Sequence, residues 1–373
     1  MPDSAHAPLL TNPVRIRSIG CRTALGDAAE SVQALNQGRV GLKPVPVHGP
    51  DGGEEVPLAL RGEMANVIPP RWWDDLTGFA AEIPGAGWGS ARRPVMFTSS
   101  NYGIDGLYSL GKSRDARYAP WATAHGCVQQ LVEHMGWGRN VFLYSHACVS
   151  AQLGLYQAAR FLDARLADEV LVLSFDYVGP FVAAGFHALK ILNAGWPAPY
   201  ADRETGSIGL GDGVAYAILD KEADGPQIRA QALYNEMYHF TSNAPEGAGF
   251  QKALQEMAPL PDPGNFWIKG HGTGTLEAGK MEAETLHRLF PGRPLVSWKG
   301  SLGHTLGSCA LVELALALEA SRLGTIPGTV GSGSPCYSPD VRTASFTAGN
   351  YDSCLLLSNA FGGAHGAMLV SHA

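Results

Sequence analysis

Charge is scarce in this sequence. Only 16% of its 373 residues are charged, whereas about 25% is usual for a soluble domain. The 27 lysines and arginines are outnumbered by 34 aspartates and glutamates, so the net charge is −7 at pH 7. No long basic run offsets this balance, which argues against a nucleic-acid-binding protein. The low charge predicts extensive buried surface, in internal layers or against a second subunit.

Long apolar runs and paired cysteine motifs are also missing. The apolar runs, such as 170–175, are far shorter than the ~20 residues of a membrane-spanning helix. Met1–Pro8 lacks the basic start and apolar stretch of a signal peptide, so a cytoplasmic protein without a membrane span is expected. The six cysteines form no Cys-x-x-C pair, and neither a zinc ribbon, a redox motif nor a disulfide framework is predicted. His146 and Cys148 lack further residues at ligand spacing, so no metal is predicted.

Apolar patterning along the chain predicts alternating strands and helices, the mark of an α/β protein. Residues 45–95 show the weakest apolar pattern and are predicted as long loops with some helix. The predicted strands are Val14–Ile19, Pro94–Ser99, Asn140–Tyr144, Glu169–Phe175, Gly213–Leu219, Asn265–Lys269, Leu295–Trp298, Tyr351–Ser358 and Ala367–Ser371. The predicted helices are Ala28–Asn36, Ala122–Met135, Val149–Ala164, Phe181–Leu192, Phe250–Met257, Lys280–Leu289 and Cys309–Leu323.

A weak internal duplication is visible. In the first part a strand runs into Ser145–Cys148 and then an apolar helix, and in the second a strand runs into Ser301–His304 and then another. Each part also ends on a glycine-rich turn that feeds a strand. The pattern predicts two similar halves, residues 1–225 and 226–373, that share one core. Chance similarity between two α/β segments is the alternative.

Two residues stand out as candidates for chemistry at element ends. Cys148 immediately precedes a predicted helix, where the free N–H groups and the dipole stabilise a thiolate. A buried structural cysteine is the alternative. His271 lies in the loop Gly270–Thr275 directly after a strand, where α/β proteins place active sites. The alternative is a loop histidine whose hydrogen bonds are satisfied by its neighbours and which takes no part in catalysis. The glycines of this loop do not have the spacing of a phosphate-binding motif.

A third group of candidates lies further along the chain. Lys299 ends a predicted strand, His304 precedes an apolar helix, and Glu313 lies inside that helix. A carboxylate among apolar residues needs a partner, and Lys299 is the natural one. The cluster predicts either a functional site or a buried structural ion pair.

Taken as a set, these motifs resemble the β-ketoacyl-acyl-carrier-protein synthases, condensing enzymes of the thiolase superfamily. The resemblance covers nearly the whole chain. It rests on Cys148 in Ser-His-Ala-Cys-Val-Ser-Ala, His271 in His-Gly-Thr-Gly-Thr, Lys299 and His304 in Lys-x-x-x-Gly-His-x-x-Gly, Glu313, and the turn Phe361-Gly362-Gly363. It implies a thiolase-like layered α-β-α-β-α fold built from two similar halves.

The resemblance also implies a mechanism. Cys148 accepts an acyl chain from the phosphopantetheine of an acyl carrier protein, with no other cofactor bound. His271 and His304 stabilise the enolate formed when a carrier-bound malonyl unit loses CO₂, and Lys299 with Glu313 orients His304. The remaining implied roles are an oxyanion hole and gating turn, formed by Cys148, Phe361 and Gly362, and substrate binding by Thr273 and Thr275.

Several positions depart from the family pattern. Gly279 stands where an aspartate is usual, His365 where an asparagine is usual, and Lys269 at a position that is often acidic. The strand after the nucleophile helix ends in Ser174-Phe175-Asp176-Tyr177, where Gly-Gly and an acid are usual. These departures favour a specialised type II polyketide, polyene or fatty-acid-like pathway over housekeeping elongation.

Partners and alternatives follow from the same resemblance. The expected partners are an acyl carrier protein and a second subunit, in a homodimer or a heterodimer. A chain-length-factor-like subunit without its own activity is one alternative, and an acyl transferase or hydrolase using Cys148 is another. The net charge of −7 does not suit an acidic carrier. The basic residues considered for docking, which also fit ordinary solvated charges, are Arg92, Arg93, Lys112, Arg114 and Arg117.

Overall fold

Strands and helices alternate along the chain as expected for an α/β protein. A computed structural model describes residues 13–49, 52–64, 67–239, 244–257 and 264–372. Met1–Pro8, where no signal peptide is predicted, lies outside these residues. Among the described residues, no helix combines the length and the apolar character needed to cross a membrane.

The helices and strands have the following bounds. The helices are α1 (Ala28–Asn36), α2 (Trp73–Ala81), α3 (Ile104–Ser113), α4 (Ala124–His134), α5 (Ser150–Asp163), α6 (Pro180–Ala188), α7 (Ala248–Glu256), α8 (Leu276–Leu289), α9 (Lys299–Leu302) and α10 (Cys309–Arg322). The strands are β1 (Val14–Thr23), β2 (Gly26–Asp27), β3 (Lys43–Gly49), β4 (Gly52–Ala59), β5 (Val95–Thr98), β6 (Val141–Tyr144), β7 (Val170–Asp176), β8 (Leu210–Gly211), β9 (Gly213–Asp220), β10 (Gln227–Asn235), β11 (Phe266–Lys269), β12 (Leu295–Val296), β13 (Thr325–Ile326), β14 (Phe346–Thr347), β15 (Ser353–Ala360) and β16 (Ala364–Ser371).

The main sheet contains the same five-stranded arrangement twice. In the first part the order is β1-β9-β7-β5-β6, and in the second it is β10-β16-β15-β11-β12. Each set has two antiparallel contacts followed by two parallel ones. The two sets join at β1 and β10, where Val14 pairs with Ile228 and Arg15 with Gln227. The topology repeats as the duplication suggests, and the predicted boundary between residues 225 and 226 stays a prediction.

Side-chain alternation along the strands sorts the molecule into five layers. On β7, Val170 and Val172 face the central core while Leu171 and Leu173 face an outer core with α2 and α4. The strands of the second part likewise share the central core with α5 and α10 and pack their other side on α7 and α8. Successive strand residues point to opposite faces, so each five-stranded half of the main sheet is covered on both faces. The predicted α-β-α-β-α fold is confirmed.

The central helix α10 explains much of the low charge. Eleven of its 14 residues are buried, including Glu313, and a helix that is apolar all round belongs in a protein core. By contrast, α1 is a surface-facing helix that begins at a capping box, in which Asp27 accepts from the N–H of Glu30 and Glu30 from that of Asp27.

Three parts of the predicted secondary structure need correction. The region 45–95, expected as loops, contains the hairpin β3–β4, whose prolines confine it to a small separate three-stranded sheet with β8. The strand expected to reach Trp298 ends at Val296, because Ser297 and Trp298 turn away to bond Thr329 and Pro327.

The helix expected to reach Leu192 ends at Ala188, since Lys190 adopts a left-handed φ of 58°. Several elements had no expectation, of which helix α3 and strand β10 are the longest.

The buried ion pair between Arg71 and Asp212 offers a test of this packing. Arg71 donates to both oxygens of Asp212 at 2.9 Å, and the Asp212 side chain is fully buried. We expect Arg71→Met to lower the free energy of unfolding by about 3–5 kcal/mol, because it leaves an uncompensated buried carboxylate.

Urea unfolding followed by fluorescence measures this change. The matched control is Arg92→Met, which removes the exposed pair with Asp168 and is expected to cost at most about 1 kcal/mol. Equal effects of the two substitutions would contradict the prediction.

Candidate active site

The predicted site residues come from both halves of the chain and meet in one cavity. Cys148 precedes α5, His271 follows β11, His304 precedes α10, and Phe361 lies in the turn between β15 and β16. All four line a cavity of ≈ 350 Å³. The structure therefore brings together residues that are separated by more than 200 positions in the sequence.

Cys148 occupies a constrained position at the start of α5. Its predecessor Ala147 has a left-handed φ of 46°, a conformation that costs energy for a non-glycine residue and is typical of functional sites. Ser150 stabilises this bend, since its Oγ accepts from the N–H of His146 at 2.7 Å and donates to the carbonyl of Ala147 at 2.6 Å. The bend places the thiol of Cys148 at the cavity wall.

The resting thiol is protonated at neutral pH. Burial raises the pKa of Cys148 to about 12, although the Lys299 ammonium group acts in the opposite direction. Hydrogen bonds from the backbone N–H groups of Phe361 and of Cys148 itself also act to lower this pKa. The expectation that the helix N-terminus favours a thiolate is therefore outweighed, in the resting protein, by desolvation.

His304 is held in one tautomer. Its Nδ1 accepts from the backbone N–H of Leu306 at 3.1 Å, so the ring proton resides on Nε2. Within the described part of the chain that Nε2 is buried without a hydrogen-bond partner. Burial and the Lys299 ammonium group hold the pKa of His304 well below its usual range. The ring is thus a neutral N–H donor.

His271 lies next to His304, with the two ring centroids 5.0 Å apart and the planes nearly perpendicular. Burial, then the positive charge of Lys299, keeps its pKa well below the usual value. Its Nδ1 has no hydrogen-bond partner among the residues that the structure describes. Two buried neutral imidazoles with free ring nitrogens therefore adjoin the thiol.

Glu282 in α8 was not predicted from the sequence, yet it anchors the His271 loop. Its two oxygens accept from the backbone N–H of His271 at 2.6 Å and of Gly272 at 2.8 Å. Tyr200 donates a third hydrogen bond to it at 2.9 Å. Gly272 has a φ of 30°, and a Cβ there would lie 2.6 Å from the Tyr200 ring, so glycine is required.

Lys299 and Glu313 pair as predicted, with a distance of 2.5 Å between Nζ and Oε1. A second lysine, Lys269 at the end of β11, reaches the same oxygen at 3.0 Å. All three side chains are buried. The pair expected from the sequence is therefore a cluster of two cations on one carboxylate oxygen.

The remaining predicted residues lie around the cavity. Thr273 and Thr275 line it, and their hydroxyl groups are 2.9 Å apart. Gly362 follows Phe361 with a φ of 85°, which suits the tight turn between the two strands. Phe361 is 37% exposed and stacks on Phe186 of α6 at 6.0 Å between ring centroids.

Asp176 and His365, two departures from the family pattern, both act behind the cavity. Asp176 is buried, and its carboxylate accepts from the Ser99 hydroxyl at 2.6 Å and from the backbone N–H of Ser100. Burial raises the pKa of Asp176 to about 6. His365 is buried with Nδ1 2.8 Å from Oδ1 of Asn359. Asp176 therefore holds backbone near the site, whereas His365 contacts the side chain of Asn359, which lines the cavity.

Gly279 and the basic residues considered for docking have ordinary surroundings. Gly279 is buried in α8, and a Cβ there would meet no atom closer than 3.9 Å. Among the basic residues, Arg92, Arg93 and Arg117 each pair with a nearby carboxylate. These three pairs favour the interpretation as ordinary surface charges.

The spacing of His271, His304 and Cys309 raises the question of a metal site. One ligand atom from each lies within 4.8 Å of the others. The ammonium groups of Lys299 and Lys269 act on both histidines, and like charge of this kind opposes a dication. The expectation of no metal stays a prediction.

Comparison with known proteins accounts for this arrangement. Residues 227–332 match the β-ketoacyl synthase C-terminal domain. Nodulation protein E of Rhizobium sp. (strain N33) is 27% identical over 259 residues, 65% of this chain and 63% of that protein. The ketoacyl synthase alpha subunit of the tetracenomycin polyketide synthase from Streptomyces glaucescens is 25% identical over 258 residues, 62% of this chain and 60% of the relative. The matches thus span less than two thirds of these relatives.

Solved structures share the fold over nearly the whole chain. A type II polyketide synthase ketosynthase bound to its acyl-carrier protein has a TM-score of 0.81 at 16% identity, covering 97% of this chain and 99% of that one. A ketosynthase from Xenorhabdus doucetiae, in complex with its chain length factor, has a TM-score of 0.76 at 19% identity and covers 97% of this chain and 98% of its own.

The fold is therefore the thiolase-like fold, as the five layers indicate. Residues 227–332 are similar in sequence to the C-terminal domain of the β-ketoacyl synthases, and the polyketide ketosynthase of Streptomyces glaucescens is similar over most of the chain. The resemblance seen in the motifs is confirmed.

The role of Glu282 as an anchor is open to test. We expect Glu282→Gln to lower the free energy of unfolding by about 1–3 kcal/mol, because one buried backbone N–H then faces an amide NH₂ instead of an oxygen. The matched control is Glu284→Gln in the same helix, where the side chain is 55% exposed. Urea unfolding of both variants measures the difference, and an equal loss in the control would contradict the assignment.

Proposed function

We propose that this chain is a β-ketoacyl-acyl-carrier-protein synthase that joins an acyl thioester to a malonyl unit with loss of CO₂. The observation that supports this most is the meeting of a buried thiol, Cys148, with two neutral histidines in one cavity. A purely structural cysteine needs no cavity and no adjoining histidines. The comparisons support the same class of protein.

The first step is acyl transfer to Cys148. The sulfur attacks the carbonyl carbon of an acyl thioester on the phosphopantetheine of a carrier protein, and the thiol proton ends on the departing pantetheine sulfur. Backbone N–H groups of Cys148 and Phe361, which already bond the sulfur, are the candidate donors for the oxyanion. Phe186, Ile191 and Ile208 give the cavity an apolar wall, which suits an acyl chain.

The second step is decarboxylation of the malonyl thioester. The Nε2–H of His304 donates to the thioester carbonyl, and His271 provides the second imidazole. As the C–C bond to the carboxylate breaks, CO₂ leaves. The electron pair of that bond stays on the malonyl carbon and forms the enolate. Neutral, preorganised donors stabilise that charge because it develops where they already point. The enolate carbon then attacks the acyl-Cys148 carbonyl, the C–S bond breaks, and the β-ketoacyl product leaves; the Cys148 thiolate released in this step takes a proton from solvent to restore the thiol.

Lys299 and Glu313 act on His304 from behind. The Lys299 cation, after burial, is the main cause of the low pKa of this histidine. A neutral His304 donates a hydrogen bond without placing a second cation in the cavity. Thr273 and Thr275 are proposed to bind the pantetheine arm.

The partners are proposed by analogy with the structural relatives. One is a ketosynthase in complex with its chain length factor, and another is a ketosynthase with its acyl-carrier protein. We propose a carrier protein as substrate donor and a second ketosynthase-like chain, identical or different, as subunit, in a specialised type II polyketide, polyene or fatty-acid-like pathway. The presence of Cys148 argues against a chain-length-factor-like subunit without its own activity.

Loading of Cys148 is the direct test of this function. We expect mass spectrometry to show an acyl adduct on Cys148 after incubation with a panel of acyl carrier proteins, and none in Cys148→Ala. The control is Cys336→Ala, which removes a half-exposed thiol outside the cavity and leaves loading unchanged. Absence of any adduct in the wild-type protein would sink the proposal.

Removal of the His271 side chain, together with the measurement of CO₂ release, distinguishes a condensing enzyme from an acyl transferase or hydrolase. We expect His271→Ala to lower the release of CO₂ from a malonyl carrier by about 10²–10³-fold, the usual effect of losing one stabilising donor, while Cys148 still loads. Labelled CO₂ and the acyl adduct are measured in parallel. An acyl transferase or hydrolase would instead cleave the thioester without releasing CO₂ in the wild-type protein.

A further inference from the structure

Lys269 is a buried cation that the proposed mechanism does not use. It ends strand β11, is fully buried, and its Nζ lies 3.0 Å from Oε1 of Glu313. Lys299 Nζ is closer to the same oxygen, at 2.5 Å. Two ammonium groups therefore share one carboxylate oxygen, and the cluster carries a surplus of one positive charge when both lysines are protonated.

The other groups around Lys269 do not remove this surplus. Its Nζ donates to the carbonyl of Gly270 at 2.7 Å and lies 5.5 Å from the centroid of the Trp298 ring. The titratable groups that face it from the neighbouring elements are Glu313 and Cys309 of α10, Lys299 of α9, His271 of the loop after β11, His304 before α10, and Cys354 of β15. Of these, Glu313 is the carboxylate; a second buried carboxylate, Glu282 of α8, acts on Lys299.

A surplus buried cation costs stability. Glu313 already has a closer cation in Lys299, so the second ammonium group adds like-charge repulsion and its own desolvation. A neutral side chain of similar length is expected to be cheaper at this position. A residue that is costly for the resting protein is a candidate for a functional role.

We propose that Lys269 is a positioning residue whose ammonium group, together with that of Lys299, stabilises the negative charge that develops on the malonyl thioester oxygen between His271 and His304. This inference rests on the proposed function. It assigns to the cluster an electrostatic role in decarboxylation beyond orienting His304.

The structure supports an action of Lys269 on both histidines. Its charge lowers the pKa of His271 and of His304, in addition to the larger effects of burial and of Lys299. In a site from which water is excluded, such a charge acts strongly and needs no reorganisation. The cation that mainly lowers the pKa of Cys148 is Lys299, so acyl loading is expected to depend far less on Lys269.

The pH dependence follows from the titration of Lys269 itself. Burial lowers its pKa to about 8, with Glu313 acting in the opposite direction. Below this pH the ammonium group is present, and above it the charge is lost. Decarboxylation in the wild-type protein should therefore decline as the pH rises through 8.

The test compares Lys269→Gln and Lys269→Met with the wild-type protein, using malonyl-pantetheine as the probe from pH 6 to 9.5. At pH 7 both variants are expected to release CO₂ about tenfold more slowly, equivalent to about 1.4 kcal/mol of transition-state stabilisation. The rate of CO₂ release by the variants should not change near pH 8. The wild-type rate should fall above pH 8 until it equals that of the variants. Acyl loading of Cys148 and the melting temperature are expected not to decrease.

The matched control is Lys280→Gln, the same substitution at a lysine of α8 that is 58% exposed; it should keep the wild-type profile. The inference would be overturned if the rate of CO₂ release by the wild-type protein were constant from pH 7 to 9. It would also be overturned if the variants released CO₂ at the wild-type rate and lost that rate in the same way as the pH rises. Variants that melt at lower temperature would assign Lys269 a structural role and overturn it as well. If the variants do not fold, the wild-type profile decides.

Failure of this inference is distinguishable from failure of the proposed function. A wild-type protein that loads Cys148 but releases no CO₂ at any pH overturns the decarboxylative function, and the inference with it. A wild-type protein that does both, with no dependence on Lys269, leaves the proposed function standing and overturns only the inference.

Discussion

The burial of one carboxylate, that of Glu313, constrains the whole site. Glu313 lies in the central helix α10, between the two halves of the main sheet and away from water. A charge in such a place must be paired, and its partners come from the ends of β11 and the start of α9. The pairing links the central helix to the segments that carry His271 and His304. The positions of the histidines thus depend on an interaction in the core as well as on their own loops.

The repeated sheet explains why the site lies where it does. Both parts of the chain have the same strand order, and both central helices, α5 and α10, begin next to the cavity. Cys148 precedes the first of these helices and His304 the second. A duplicated unit packed against its copy brings equivalent helix starts together, so one copy supplies the nucleophile and the other the imidazole. The low charge of the chain follows from the same packing, because five layers leave little surface for charged side chains.

Much of the fold was predictable because its signals are local. The apolar period of α5 and α10 and the strand-like runs at β5, β7 and β11 were read to within a few residues. The hairpin β3–β4 was not, since its prolines mask the strand pattern, and the strand before Trp298 ends early because its groups bond to Thr329 and Pro327. At the site, Cys148, His271, His304, Lys299 and Glu313 were all candidates. Glu282 was missed because an acidic residue on an amphipathic helix looks like an ordinary surface charge.

The resemblance to a class of protein, the strand–helix alternation and the residue types of the site could be inferred from the sequence alone, since these depend on patterns within a few positions. The electrostatic properties of the site required the folded structure. It made Cys148 a protonated thiol, His304 a single tautomer and Lys269 a second cation on Glu313. Burial and the distance between charges set protonation states, and neither quantity exists before distant segments of the chain meet.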